Sequence, residues 1–285
     1  METYQAVILG ILQGLTEFLP VSSSGHLALT QHLFGITTPT LFFDICLHIG
    51  TLIAVVIVFF DSIKAMVLSI INLLHSLIKF NLDNVQKQIQ NNTDIRLAFL
   101  IIVGSIPTAL LGFFIKQYVV NLFGSINFVG TMLIITGTFL WFTRGFNNKT
   151  EADMKAGGDI MNFGYGQALF IGLCQGIAVL PGISRSGATI ASGLFVGINR
   201  ETAAKFSFLL SIPAILGAEA LGLKDFMNGH AGSIDISILY GTIMAFVTGY
   251  IALKALLKIV KTGKLHLFAP YCWILGVIAV IGGVL

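Results

Sequence analysis

Two short stretches of this chain set polar and titratable side chains beside Pro, Gly and Ser within otherwise apolar sequence. The first is Leu19-Pro20-Val21-Ser22-Ser23-Ser24-Gly25, preceded by Glu17 and followed by His26. The second is Leu180-Pro181-Gly182-Ile183-Ser184-Arg185-Ser186-Gly187. Their chemistry is that of anion binding, and of phosphate above all. Arg185 stays charged and presents a planar fork of donors that fits phosphate oxygens. Ser184, Ser186 and Thr189 surround it, and Gly182 and Gly187 let backbone N–H groups approach the same anion. Helices beginning near Ser23 and Ser184 would add free N–H donors and partial positive charge. A buried ion pair between Arg185 and Glu17 is the plainer alternative, and the two roles can coexist.

His26 follows Ser23 by three residues, a spacing that puts both side chains within reach of one phosphoryl group from the first turn of a helix. Histidine is the natural general acid or base near neutral pH. Ser23 can be the nucleophile with His26 activating it, or His26 can activate water or attack phosphorus itself. Glu17 stands four residues after Gln13, so both face one side of a helix. Glu17 is the candidate ligand for a divalent cation, since Mg²⁺ is commonly held by one or two carboxylates plus substrate phosphate; alternatively it orients His26. The substrate-binding set is Gln13, Ser22, Ser24, Gly182, Ser184, Ser186, Gly187 and Thr189. Asp44, His48 and Glu219 rank below these, as groups suited to interhelical hydrogen bonds, although His48 could reach the cavity. His75, His230 and His266 read as surface or interfacial residues. Gly10, Gly14, Gly172 and Gly176 read as close-packing positions.

The elements that must position these groups are set by the bilayer. Of the 285 residues 55% are hydrophobic and only 10% charged, against about 25% charged in a soluble domain. The net charge of +3 comes with no basic run or aromatic-interleaved patch, which argues against nucleic acid as a partner. Cys46, Cys174 and Cys272 lie in apolar segments without metal-ligand spacing and read as small hydrophobes. Met1–Tyr4 has no basic segment, so no cleaved signal peptide is expected. Six segments approach the ~20 apolar residues that a spanning helix needs: Leu41–Phe60, Arg96–Lys116, Gly124–Trp141, Thr202–Leu223, Ile236–Leu257 and Leu267–Leu285. The amphipathic stretch Ile63–Phe80 and the polar run Asn81–Asp94 are expected at the membrane surface. Four apolar pieces are too short to span and come in pairs, Tyr4–Leu19 with Ser23–Phe34 and Gly164–Leu180 with Ser184–Val196. They are expected to form re-entrant hairpins, because broken helices at membrane depth need cover from protein or a wet cavity. A single kinked spanning helix for each pair is the alternative.

Lys258, Lys261 and Lys264 mark a cytoplasmic end. Counting back from it puts Arg200, Lys205, Arg144, Lys149, Lys155, Lys64, Lys79, Lys87 and Arg96 on the same side, with only Lys116 and Lys224 opposite. Both termini then face out. The two hairpins align without a gap at an offset of 162 residues, the separation of Gln13 from Gln175. Gly10 falls on Gly172, Gly14 on Gly176, and Ser22, Ser24 and Gly25 on Ser184, Ser186 and Gly187. With one hairpin and three spans each, the copies (about 1–145 and 160–285) are expected as inverted repeats in one integral membrane domain, a layout shared by many transporters. Where the copies differ, Glu17 faces Val179, Ser23 faces Arg185 and His26 faces Ala188. That division of labour suits a hydrolytic site better than a symmetric transport site. The alternative kept is a transporter or flippase of a polyprenyl phosphate or another anion.

Gln13-Gly-Leu-Thr-Glu17-Phe-Leu-Pro-Val-Ser-Ser23-Ser-Gly-His26 and Pro181-Gly-Ile-Ser-Arg185-Ser-Gly-Ala-Thr189, together with Phe206-Ser-Phe-Leu-Leu, resemble the undecaprenyl-diphosphatase family, the bacitracin-resistance family of bacterial membrane phosphatases. The likeness runs the whole chain. It implies removal of the terminal phosphate from undecaprenyl diphosphate, the carrier lipid of peptidoglycan synthesis. It further implies that Glu17, Ser23, His26 and Arg185 form the site with help from a divalent cation, Mg²⁺ or Ca²⁺, and that the cavity opens to the outer face of the bacterial cell membrane. The lipid substrate and the bilayer are the expected partners, and a homodimer is the further partner considered. Gln13 departs from the Glu common at that position. Ser24-Gly25-His26 and Ser184-Arg185 also echo the type-2 phosphatidic-acid phosphatases, whose second histidine has no counterpart before His230.

Overall fold

Inside a bilayer a chain must satisfy its backbone N–H and C=O groups within its own segments, which favours helices. The computed structural model describes residues 2–36, 41–146, 160–228 and 235–283, and among them it contains α-helices and short 3-10 turns without strands. The helices are α1 (Thr3–Phe18), α2 (Ser23–Leu33), α3 (Leu41–Val58), α4 (Phe60–Ile78), α5 (Leu82–Asn91), α6 (Thr93–Phe123), α7 (Ile126–Trp141), α8 (Tyr165–Ile177), α9 (Arg185–Phe195), α10 (Arg200–Asn228), α11 (Ile236–Lys261) and α12 (Ala269–Gly282). The short pieces α1, α2, α8 and α9 end within a few residues of the expected boundaries. Lys149, Lys155 and His230 lie outside the described residues.

Seven helices among the described residues, not six, are long and apolar enough to cross a membrane. The addition is α4, which sequence reading put at the surface; its apolar content reaches the spanning range although its faces are mixed. Only Phe59 separates α3 from α4, and helical hydrogen bonds run across it from Phe59 N to Val55 O and from Ile63 N to Phe59 O. The outward sides of the long helices carry apolar stripes at helical spacing, such as Ile102, Ile106 and Leu110 on α6 and Ile274, Ile278 and Ile281 on α12. Such stripes suit lipid contact, since alkyl tails impose no penalty on them.

Small residues let the helix backbones meet. A Cβ placed on Gly10 of α1 would fall within van der Waals radii of the Gly241 carbonyl oxygen of α11. The corresponding Cβ on Gly172 of α8 would fall within van der Waals radii of the Gly104 carbonyl oxygen of α6. At the α7–α12 crossing, Gly130 and Gly276 each lie under the other's carbonyl, at 2.7 Å from such a Cβ in both directions. Between these pairs sits the largest buried apolar cluster, which includes Phe18, Val21, Ile190, Phe208, Leu253 and Cys272. It draws Phe18 and Val21 from the first broken helix pair, α1–α2, and Ile190 and Ala191 from the second, α8–α9.

Candidate functional site

Both breaks end on a serine that starts the next helix. Ser22 Oγ accepts from Gly25 N at 3.2 Å, and Ser184 Oγ accepts from Gly187 N at 3.1 Å, so each hydroxyl satisfies an otherwise orphaned first-turn donor. Ser22 and Ser24 hydroxyls lie 3.3 Å apart, as do those of Ser184 and Ser186. The breaks touch each other: a Cβ on Gly25 would meet Gly182 Cα at 3.3 Å, and one on Gly187 would meet Pro20 Cβ at 3.2 Å. Gly182 has φ +96°, a conformation that suits glycine, and its carbonyl accepts from Thr136 Oγ1 at 3.0 Å. The same Thr136 oxygen accepts from Ser184 N at 3.1 Å, which pins the second break to α7. Ser22, by contrast, is a non-glycine residue at φ 69°.

At this junction Glu17 gathers most of the groups expected from sequence. Arg185 Nη2 donates to its Oε1 at 2.5 Å, across the two breaks. The Ser23 hydroxyl donates to Oε2 at 2.5 Å and Gln13 Nε2 donates to the same oxygen at 3.0 Å. The ion pair foreseen as the plainer role of Arg185 is therefore present. It does not exhaust the guanidinium, because Arg185 Nη1 is buried without a protein partner, and Gln13 Oε1 is likewise buried and unpartnered. Buried polar groups are almost always hydrogen-bonded, so this open donor and this open acceptor, each on a side chain that bonds Glu17, mark a place for a ligand. Thr189 Oγ1 turns back to the Arg185 carbonyl at 2.8 Å and pairs with Ser207 at 2.5 Å. Thr189 thus fixes the start of α9, and Ser207 is a supporting residue that sequence reading missed.

His26 does not pair with Ser23 or Glu17, contrary to either role drawn from spacing. Although residues three apart share one face of a helix, the Ser23 hydroxyl turns to Glu17 and the His26 ring to Ser22 and Tyr271. His26 Nδ1 lies 2.8 Å from the Ser22 carbonyl oxygen, and Nε2 lies 2.7 Å from Tyr271 Oη on α12. The place beside Glu17 is taken by His48, whose Nε2 is 3.9 Å from Oε2, with Nδ1 3.6 Å from Glu219 Oε1 and 2.8 Å from the Asp44 carbonyl. His48 and Glu219 were ranked low because each stands alone in an apolar span; their nearness to Glu17 is tertiary. Tyr271 gave no signal, as a half-exposed aromatic near a helix end reads as an interfacial anchor.

The donor set also limits what cation it can hold. Among the described residues no group of three or more His, Cys, Asp and Glu is arranged around a metal position. Glu17 and the open Gln13 Oε1 offer hard oxygen donors side by side, but Arg185 already neutralises the carboxylate. These residues fit a divalent cation that completes its shell with phosphate oxygens, not an all-protein cage.

Residues 6–278 match the family described as "Bacitracin resistance protein BacA". The chain is similar to the undecaprenyl-diphosphatase of Desulforapulum autotrophicum, 58% identical over 283 residues that cover 99% of both chains. It is also similar to the undecaprenyl-diphosphatases of Desulfosudis oleivorans, 53% identical over 97% of each chain, and of Methanosphaera stadtmanae, 42% identical over 99% of this chain and 98% of that one.

Proposed function

The chain belongs to the bacitracin resistance protein BacA family, and from that premise we propose that it is a multi-pass membrane phosphatase converting undecaprenyl diphosphate to undecaprenyl phosphate and inorganic phosphate. The carrying observation is the junction where Glu17 of one break grips Arg185 of the other, with Ser23 on the same carboxylate and Arg185 Nη1 left open.

The architecture behind this reading is a pair of inverted repeats, each with a re-entrant helical hairpin. It is supported by the 162-residue alignment and by contacts that exchange under it. Gly25 against Gly182 becomes Gly187 against Pro20, and Gly10 on α11 becomes Gly172 on α6. The crossing of α7 and α12 at Gly130 and Gly276 maps onto itself. The single-residue link at Phe59 is too short to reverse the chain between two full spans, which favours α4 lying along the membrane surface. The site then faces the outer side of the bacterial cell membrane, with the polyprenyl tail among the lipid-facing helices. All its residues come from one chain, so a homodimer is not needed to complete it.

Arg185 Nη1 and the N-termini of α2 and α9 receive the terminal phosphate, and stabilisation of charge there supplies much of the rate. Ser23 Oγ attacks the terminal phosphorus and its proton passes to Glu17 Oε2. The bond from that phosphorus to the bridging oxygen breaks, and undecaprenyl phosphate leaves. Water next attacks the phosphoserine with net transfer of a proton to His26. Ser23 Oγ departs with the proton held on Glu17, inorganic phosphate is released, and His26 returns to its neutral form by losing the proton to solvent. A divalent cation held by Glu17 and Gln13 Oε1 would add charge neutralisation on the diphosphate. Ser22, Ser24, Ser184, Ser186 and Thr189 shape the cradle, as do Gly182 and Gly187.

The test is phosphate release from undecaprenyl diphosphate by detergent-purified protein, with Mg²⁺, with Ca²⁺ and with a chelator. Turnover that a chelator abolishes and added cation restores is expected. Folded protein that releases no phosphate under any of these conditions would overturn the reading.

A further inference from the structure

His26 is buried, 6% exposed, and both of its ring nitrogens have partners of defined polarity. The Ser22 carbonyl oxygen can only accept, and it already accepts the His26 backbone N–H at 3.1 Å. The hydrogen therefore sits on Nδ1, which donates to that carbonyl at 2.8 Å. In a neutral imidazole the other nitrogen is then the acceptor. The partner offered to it at 2.7 Å is the Tyr271 hydroxyl, which has one proton to give. The two rings are also parallel, with centroids 5.7 Å apart and planes 5° apart. Tyr271 stands on α12 and His26 on α2, so the contact ties the first hairpin to the last helix over a separation of 245 residues.

The backbone gives the contact a further role. Ser22 holds φ 69°, a value that a non-glycine residue adopts at a cost and keeps only where its surroundings enforce it. The same Ser22 supplies the carbonyl under Nδ1 and the oxygen that caps Gly25 N. A ring held from one side by a strained backbone would swing if the other nitrogen were free.

We propose that Tyr271 relays a proton in the phosphatase reaction: its hydroxyl donates to Nε2 of His26, and as the attacking water gives its proton to Tyr271 Oη the tyrosine's own proton passes to Nε2. The assignment rests on the phosphatase reading above and adds to it the residue that carries the proton to the imidazole. Once Nε2 takes the tyrosine's proton, the hydrogen bond reverses, with Nε2–H donating to Tyr271 Oη. Tyr271 exchanges its proton for that of the water, so it ends neutral, and it does not touch phosphorus.

The test uses Tyr271→Phe, which removes one oxygen and keeps the stacked ring. Two readouts are taken on detergent-purified full-length protein. The first is the ¹⁵N spectrum of histidine-labelled protein, with His26 identified by loss of its signals in His26→Ala; protonated and bare ring nitrogens separate clearly there. The second is steady-state phosphate release. Wild type is expected to show the Nδ1–H tautomer at His26 with a hydrogen-bonded Nε2, and Tyr271→Phe the same tautomer with the Nε2 signal moved toward that of a free acceptor nitrogen. In Tyr271→Phe kcat is expected to fall about tenfold, the equivalent of one hydrogen bond to the reacting group, with KM within about twofold of wild type. A kcat unchanged in Tyr271→Phe overturns the assignment whatever the spectrum shows, and so does an Nε2 signal that the substitution leaves unaltered. Wild type that shows the tautomer but releases no phosphate would refute the phosphatase reading and the catalytic purpose of Tyr271 together, while leaving the Tyr271–His26 bond established.

Discussion

The two hairpin tips share a frame and differ in what hangs on it. Each begins a helix with a serine that caps a glycine N–H, at 3.2 Å for Ser22 and 3.1 Å for Ser184, and each places a second serine hydroxyl 3.3 Å from the first. Strain is handled in opposite ways. In the second tip the positive φ falls on Gly182, which tolerates it, whereas in the first it falls on Ser22, whose carbonyl holds His26. Reactive groups follow the same division, since Glu17, Ser23 and His26 lie on the first tip and Arg185 on the second. On the proposed reading, the repeated part builds an anion cradle and the unrepeated part makes it hydrolytic. Relaxed backbone serves binding, and enforced backbone serves the residue that must move a proton.

That division can be broken from either side. The largest effect is expected from Arg185→Ala, a loss of about 10³-fold in kcat/KM, because the phosphoryl charge loses its main donor. Arg185→Lys should recover little of it, since an ammonium cannot both hold Glu17 and reach phosphate through a second nitrogen. Phosphate release by the two variants checks this.

Glu17→Gln should cost about 10²-fold or more, as the amide still accepts from Ser23 but cannot take its proton. Ser23→Ala should abolish phosphate incorporation into the protein; rapid quench with substrate labelled in the terminal phosphate reads this directly.

The shared frame should respond alike in both copies. Gly10→Ala and Gly172→Ala each push a Cβ into a carbonyl of the partner helix, and each should cost about 1–3 kcal/mol of stability. Thermal unfolding in detergent should show similar falls for the two variants, and a fall confined to one would contradict the repeat.

The smallest effect is expected at Val179, the counterpart of Glu17. It is 37% exposed, and Val179→Ala should change stability by about 0.5 kcal/mol or less and leave turnover within about twofold.

Much of this was legible in the sequence because membrane chemistry is sparse. A lone arginine between Ser184 and Ser186, and a carboxylate and imidazole flanking Ser22–Ser24, stand out against apolar neighbours, and the alignment of Gln13 with Gln175 sets them face to face. The α1, α2, α8 and α9 boundaries followed from Pro20, Pro181 and the serine caps. Pairings across long sequence separations were not legible. The i, i+3 spacing suggested that His26 serves Ser23, but the structure gives Ser23 to Glu17 and His26 to Tyr271. His48 and Glu219 gain their meaning only from the packing of α3 against α10. The status of α4 was not legible, because an amphipathic pattern and a spanning length coexist in it.

On the proposed reading the two tips make one site through Glu17 and Arg185. This is tested most directly by phosphate release from the double variant Glu17→Gln/Arg185→Ala beside the two single variants, at enzyme concentrations high enough to register residual turnover. Residues that act as a unit are strongly non-additive. If the two residues share one site, the double variant is no slower than the slower single variant within about threefold, a margin that corresponds to ~0.6 kcal/mol. Losses that simply multiply would mean that Glu17 and Arg185 act in separate places, and the shared site would be wrong.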